Sequence, residues 1–421
     1  MKAAFCAVGL VTMLACDGVE GNAGAGEETE TEAATFNLVS SERCPHRPPR
    51  DGRFLDVNND GFADVAIGAP SERATFVYFG SATGIPTTPS VVLTGDFEAG
   101  AAVAPAGDVN GDGFRDLVVG SGIDTTTVYL GGATGFDPTG IPLQRADALR
   151  FGATVSTAGD VNGDHFDDVI VGTRFGALVY LGNAGGINPT AAFLLAGPGA
   201  AALTVVGGTD FDRDGFGDVV VGSGNIGVAV YMGSAAGFTS APQLTLAGSG
   251  GAAAAGDVDG DGYPDLLVAT SDDGVHVYLG GPGGLRATRF LTLRNPAGGA
   301  GFGDPIGGAM STAGDVNRDG FDDVVIGTIF DDRAYLFLGS HKGLGPRPFR
   351  TWTGAAGSGF GAAVGGVGDT NGDGFDDVVI GARTAGQAFV FLGRASGPRA
   401  TPSLTLTGPA RFGEAVGKMT R

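Results

Sequence analysis

The stretch GDTNGDGFDDVVIGA, residues 368–382, places oxygen-bearing side chains at alternate positions: Asp369, Asn371 and Asp373. Gly374 and Phe375 follow, and a further carboxylate, Asp377, stands ninth counting from Asp369. Alternating side-chain oxygens, a glycine for a sharp turn and a closing carboxylate form the donor set that a hard cation such as calcium requires. Val378, Val379 and Ile380, a β-branched run ended by Gly381, predict a short buried strand directly after the loop.

The unit occurs seven times, with starts at Asp56, Asp108, Asp160, Asp210, Asp257, Asp315 and Asp369, spaced 52, 52, 50, 47, 58 and 54 residues apart. Positions 1, 3, 5 and 9 offer side-chain oxygens and position 7 a main-chain carbonyl. The candidate ligands in the first loop are Asp56, Asn58, Asp60, Phe62 and Asp64, and in the second Asp108, Asn110, Asp112, Phe114 and Asp116. The third has Asp160, Asn162, Asp164, Phe166 and Asp168, and the fourth Asp210, Asp212, Asp214, Phe216 and Asp218. The fifth has Asp257, Asp259, Asp261, Tyr263 and Asp265, and the sixth Asp315, Asn317, Asp319, Phe321 and Asp323. Asp369, Asn371, Asp373, Phe375 and Asp377 complete the set.

Oxygen ligands without Cys or His favour calcium over zinc or copper, so up to seven calcium ions are expected. A helix-loop-helix calcium site would need Glu at position 12. Here that position holds Ile67, Val119, Val171, Val221, Val268, Ile326 and Ile380, all strand formers. The rings at position 7 are expected to pack between repeats, leaving only their carbonyls for metal. The third loop has His165 where the others have glycine. A left-handed backbone there costs roughly 1–2 kcal/mol.

The formal charge of the 421 residues is −21, which argues against a nucleic-acid partner. The seven loops hold 23 carboxylates at positions 1, 3, 5 and 9, so seven divalent ions would bring the charge to −7. Much of the acidity is therefore read as ligand. The four histidines, His46, His165, His276 and His341, sit in no zinc, phosphate-loop or Gly-x-Ser-x-Gly setting. No enzyme is expected.

The chain opens with Lys2 and an apolar run, Ala3 to Leu14, of a length suited to export and too short to span a bilayer. Met13-Leu14-Ala15-Cys16 resembles the bacterial lipobox, which makes residues 1–15 a lipoprotein signal peptide and Cys16 the lipidated residue. The alternative is plain secretion with cleavage after Gly21-Asn22-Ala23. Residues 16–50 read as an acidic flexible tether and a Pro-containing linker, so only a lipid anchor would hold the protein to a membrane. Once Cys6 and Cys16 are so explained, Cys44 is left single.

From residue 51 to 421 each repeat carries strand signals in one order. Phe-Gly and a small apolar stretch come first, as at Phe151-Gly152, Phe302-Gly303 and Phe360-Gly361. The loop and its β-branched strand follow, then a third strand such as VYFG (77–80) or VFLG (390–393) and a fourth such as SVVLTG (90–95) or SLTLTG (403–408). Four strands in seven repeats predict an all-β, seven-bladed β-propeller. Phe412-Gly413-Glu414-Ala415-Val416 begins a repeat unit, and the motif at Asp56 lacks one before it. The C-terminal segment is therefore expected to supply the first strand of the Asp56 blade, pairing with Val65 to Gly68 and closing the ring.

Phe-Gly, the acidic loop and the strand ending Gly68-Ala69-Pro70 together resemble the FG-GAP repeat of integrin α-subunit propellers and their bacterial relatives. That resemblance implies a calcium-binding adhesion module for a protein or glycan. The N-terminal segment makes it anchored to the cell envelope or secreted, and a monomer is expected. The resemblance also implies ligand contact on the face away from most of the calcium. There the two–three turns lie, at Ser71-Glu72-Arg73, Arg174-Phe175, Asp272-Asp273, Phe330-Asp331-Asp332-Arg333 and Arg383. The alternatives are a structural envelope protein and a non-catalytic domain of a hydrolase system.

Overall fold

Each β-branched run after an acidic loop forms a strand buried on both faces, and the chain repeats this arrangement around a ring. The computed structural model describes residues 54–419, apart from 123, 145–149, 200–201, 225, 271–273, 299–309 and 329. Residues 1–53, expected to hold a signal peptide and tether with Cys6, Cys16 and Cys44, and the sequences Asp272-Asp273 and Phe302-Gly303, lie outside the described residues.

Seven four-stranded antiparallel sheets follow one another along the chain. The second blade is typical: 102–107, 116–120, 126–129 and 141–142 pair in sequence order. The second strands, such as Val65–Ala69 and Asp377–Ala382, are buried at every residue. An uninterrupted apolar run fits a strand covered on both sides. The covering is supplied by neighbouring blades, because the seven core clusters each join two consecutive sheets. The core is thus a ring of wedges.

The ring closes as the sequence predicts. Ala415–Val416 pairs antiparallel with the strand Val65–Ala69, Ile67 opposite Val416 and Gly68 opposite Ala415. Phe412 is fully buried in the closing wedge, its ring 5.5 Å from that of Phe76. The Phe-Gly pairs at 151 and 412 lie in the turn entering the first strand, where the sequence reading placed them at the strand itself. Among the described residues only Phe360-Gly361 falls within a strand, Phe360–Gly368. The third strands also stop earlier than expected, at Tyr78 and Phe391, leaving the following glycines free of the ladder.

One glycine of the second strand is dictated by close approach. A Cβ on Gly68 would lie 1.9 Å from the Gly100 carbonyl oxygen, and one on Gly381 2.0 Å from that of Gly413. Any side chain would push away the turn that enters the adjoining blade.

Candidate metal centres

Six of the loops connect first to second strands and the one at Asp56 leads into the strand Val65–Ala69, and their own side chains fold them. In the first, Asp56 accepts the N–H groups of Asp60 and Gly61, one on each oxygen, both at 3.1 Å. Asp60 in turn accepts the N–H of Phe62 at 3.0 Å. Wrapping main-chain donors around a short acidic side chain draws the alternate positions toward one centre. Two residues per loop take left-handed backbones. Position 6 does so throughout, His165 included at φ 72°. Position 4 does so as well, at Asn59, Arg213, Arg318 and four glycines, a demand that sequence reasoning missed. Its signal was the recurrent Gly or Asn between positions 3 and 5.

Position 9 has a second role that the ligand pattern does not convey. Asp377 accepts the N–H of Thr370 at 3.0 Å on one oxygen and the N–H of Gly393 at 2.9 Å on the other. The same pair of bonds recurs at Asp64, Asp116, Asp168, Asp218, Asp265 and Asp323. Each carboxylate therefore ties its loop to the glycine after the third strand of the same blade. That is why those glycines leave the ladder. Burial pushes the carboxyls up, to about 7 at Asp116 and Asp168 and to about 8 at the other five, against the lowering effect of the two N–H donors.

Consecutive loops are joined main chain to main chain. The N–H at position 8 donates to the position 1 carbonyl of the preceding loop, as from Arg115 to Asp56 (3.2 Å), Gly217 to Asp160 (2.7 Å) and Ala63 to Asp369 (2.9 Å). The fourth and fifth loops lack this bond because position 8 is Pro264, which has no N–H. Arg213 spans that seam instead, its guanidinium 6.0 Å from the centre of the Tyr263 ring. The position 7 rings pack between blades as expected. A Cβ on Gly163, at position 4 of the third loop, would lie 2.7 Å from the Phe216 ring of the fourth.

The donor chemistry fits a divalent cation most fully in two loops. Ligand oxygens of Asp210, Asp212 and Asp218 lie within 4.8 Å of one another, as do those of Asp257, Asp259 and Asp265. These are the loops with Asp at position 3. Asp214 and Asp261 stand outside these trios and accept the N–H groups of Phe216 and Tyr263 (both 3.0 Å). Asp257 also leaves one buried oxygen, Oδ1, without a hydrogen-bond partner, an arrangement a cation would relieve. Bound there, a cation would be held by carboxylates at positions 1, 3 and 9 and would offset the repulsion among them.

On the opposite face the turns divide into two kinds. Phe97, Phe175, Ile226 and Phe330 are 59%, 58%, 53% and 73% exposed. Asp332, which the sequence reading offered for ligand contact, is instead a brace: its carboxylate accepts the N–H groups of Gly357 (2.6 Å) and Gly359 (2.7 Å). Arg73 lies over the Phe97 ring at 5.6 Å, and the Ser71 hydroxyl donates to the Ala410 carbonyl.

Repeated blades, buried position 9 carboxylates and acidic loops define a propeller of acidic-loop repeats. The family model for an FG-GAP-like repeat matches residues 56–119, 210–268 and 257–326, and that for the FG-GAP repeat matches 151–187. The chain belongs to the FG-GAP repeat family. It is similar to integrin alpha-V of Gallus gallus, 28% identical over 205 residues, 42% of this chain and 20% of that protein. It is 40% identical to integrin alpha-7 of Rattus norvegicus over 80 residues, 18% of this chain and 7% of that one. The chain thus spans a fifth or less of the length of these relatives. A crystal structure of BBS1N in complex with ARL6DN, soaked with mercury, shares the fold with a TM-score of 0.51 at 11% identity, covering 78% of this chain and 88% of that one. Among the described residues no helix is long and apolar enough to cross a membrane.

Proposed function

We propose that the protein is a calcium-loaded, non-catalytic binding propeller that is exported and presents its turns to a protein or glycan ligand. The observation that carries this reading is the convergence of three carboxylates in each of two loops of a sevenfold repeated motif. Calcium held in these loops, by the carboxylates at positions 1, 3 and 9 where they converge, would stiffen the loops that join neighbouring blades, and through them the turns opposite. Half-exposed aromatic and aliphatic side chains at Phe97, Phe175, Ile226 and Phe330 supply contact surface on those turns. The integrin relatives support an extracellular setting by analogy of family. Cys16 would anchor the protein by lipid to the bacterial envelope, and the ring would act as a monomer without nucleic acid.

A screen of the mature protein against glycans and cell-surface proteins, with calcium and with chelator, tests the reading. Saturable binding that requires calcium is expected. Turnover of a glycan without retention would replace it with an enzymatic role, and no saturable ligand would leave a structural one. Anchoring is tested separately by Cys16→Ala, which should release the protein to the soluble fraction. A soluble wild-type protein beginning at Gly24 would remove the anchor from the proposal.

A further inference from the structure

The metal-loop face is uneven in charge. The turns between third and fourth strands open on this face, where their first N–H groups donate to the preceding blade's metal loop, as from Ser340 to Val258 (3.0 Å) and Arg394 to Val316 (2.9 Å). In the first four blades these turns, residues 79–90, 130–140, 181–192 and 232–243, contain no Lys or Arg. In the last three they carry Arg286, Arg289, Lys342, Arg347, Arg394 and Arg399, and no Asp or Glu. In a chain of net charge −21 the cations of these turns are thus gathered on one sector. Five of the six are exposed and Arg394 is half-buried, its Nε donating to the Gly397 carbonyl at 3.0 Å.

Two aromatic rings stand among these cations. Phe290 and Phe349 are 43% and 42% exposed. Each is seated on the next blade: a Cβ on Gly343 would lie 2.7 Å from the Phe290 ring, and one on Gly397 2.3 Å from the Phe349 ring. Arg350 lies 5.1 Å from the centre of the Phe349 ring. The rings are therefore held against the surface, available for stacking and unable to project as membrane wedges. Asp261 of the fifth loop lies 3.8 Å from the Arg286 guanidinium.

We propose that this sector of blades five to seven is a docking surface for an acidic polysaccharide, whose carboxylates pair with the arginine forks while its sugar rings lie on Phe290 and Phe349. Guanidinium groups match carboxylates in two-point geometry, and a repeating polyanion meets cations from three consecutive blades at once. Cations in the neighbouring loops would reduce the repulsion the polyanion meets there. The surface is separate from the turns of the opposite face and stands whether or not those turns bind anything.

The test is titration of the full-length protein, in calcium and low salt, with hyaluronan oligosaccharides and with neutral dextran oligosaccharides of equal length. Hyaluronan should bind, dextran should not, and the binding should weaken as salt is raised. Replacing one cation per blade, Arg286→Gln, Arg347→Gln and Arg399→Gln together, should weaken it about tenfold, because three exposed charge pairs are lost at once. Arg150→Gln, an exposed turn residue ahead of the strand Val155–Gly159 on the far face, should leave it unchanged. The three sector substitutions are on exposed turns, and an unchanged melting temperature checks that the ring persists. Equal binding by the triple variant, absence of hyaluronan binding, or tighter binding to phosphatidylglycerol vesicles or single-stranded DNA would overturn the proposal.

Discussion

The carbonyl of Asp257 accepts the N–H of Asp322 at 3.0 Å, and the Asp322 carboxylate accepts the N–H of Asp257 in return at 2.8 Å. The two residues are in consecutive blades, at positions 1 and 8 of their loops. Asp108 with Asp167 and Asp315 with Asp376 repeat the exchange. Position 8 carries no ligand in the loop pattern, so these carboxylates are structural braces fixing a candidate ligand residue from the neighbouring blade.

Asp322→Ala should therefore destabilise the ring by about 1–3 kcal/mol, because a main-chain donor loses its partner inside a blade junction. Asp322→Asn, whose amide oxygen can still accept, should lose less. Urea denaturation of both variants measures the difference. Equal losses would mean that the carboxylate acts through its charge and not through this bond.

Removing calcium should lower the melting temperature. Preferential binding to the folded chain contributes about 2.7 kcal/mol per site at a hundredfold excess over the dissociation constant. The fourth and fifth loops, with four carboxylates each, should fill first, and the third, carrying His165, last. Calorimetric titration of the chelated protein reads the order through Asp210→Asn, Asp257→Asn and Asp160→Asn. An unchanged melting temperature in EDTA would remove metal from the account of stability.

The chelated protein should become less stable as pH rises from about 4 to about 8. Buried position 9 carboxyls titrate near 7 or 8 in the folded chain against 3.8 as the ordinary value, so across this window the folded state holds protons that the unfolded state has released. Stability then falls with pH, and calcium should reverse the trend by favouring the ionised groups. Thermal melts at pH 5 and pH 8, with and without calcium, test the sign. Proton release on calcium binding near pH 6.5 is the companion observation.

Ring closure should depend on Phe412. Phe412→Ala removes a fully buried ring that meets Phe76 at 5.5 Å and should cost about 3–5 kcal/mol. Deleting residues 410–421 should cost more, since the edge of Val65–Ala69 is then exposed. A truncated chain that melts like the parent would show that the ring does not need this strand.

His165→Gly should raise stability modestly, by up to about 1 kcal/mol. A left-handed backbone (φ 72°) is strained for histidine and free for glycine, while glycine's greater freedom in the unfolded chain offsets part of the gain. Denaturation of the chelated variant isolates the backbone effect from metal binding.

The sequence by itself determined the repeat, its count, the four-strand order and the closing segment. Each rests on local pattern: β-branched runs read as strands, and Gly, Asn and Asp between them read as turns. It also located the candidate ligands, because a cation loop draws its donors from nine consecutive residues such as Asp257 to Asp265. The strand limits were less legible. Gly80 and Gly393 look like the ends of strands but leave the ladder to donate to Asp64 and Asp377.

What only the tertiary structure decided are the relationships between repeats. Position 8 shows no pattern within one loop, being Ala63, Arg115, Asp167, Gly217, Pro264, Asp322 and Asp376 in turn. Its role emerges when the next blade brings it against position 1, some fifty residues earlier. The division of the turns into exposed apolar ones and braced ones such as Asp332 likewise came from packing, as did the basic sector of blades five to seven. A propeller's strands are specified locally, while its junctions are specified by pairs of residues that meet only when the blades stack.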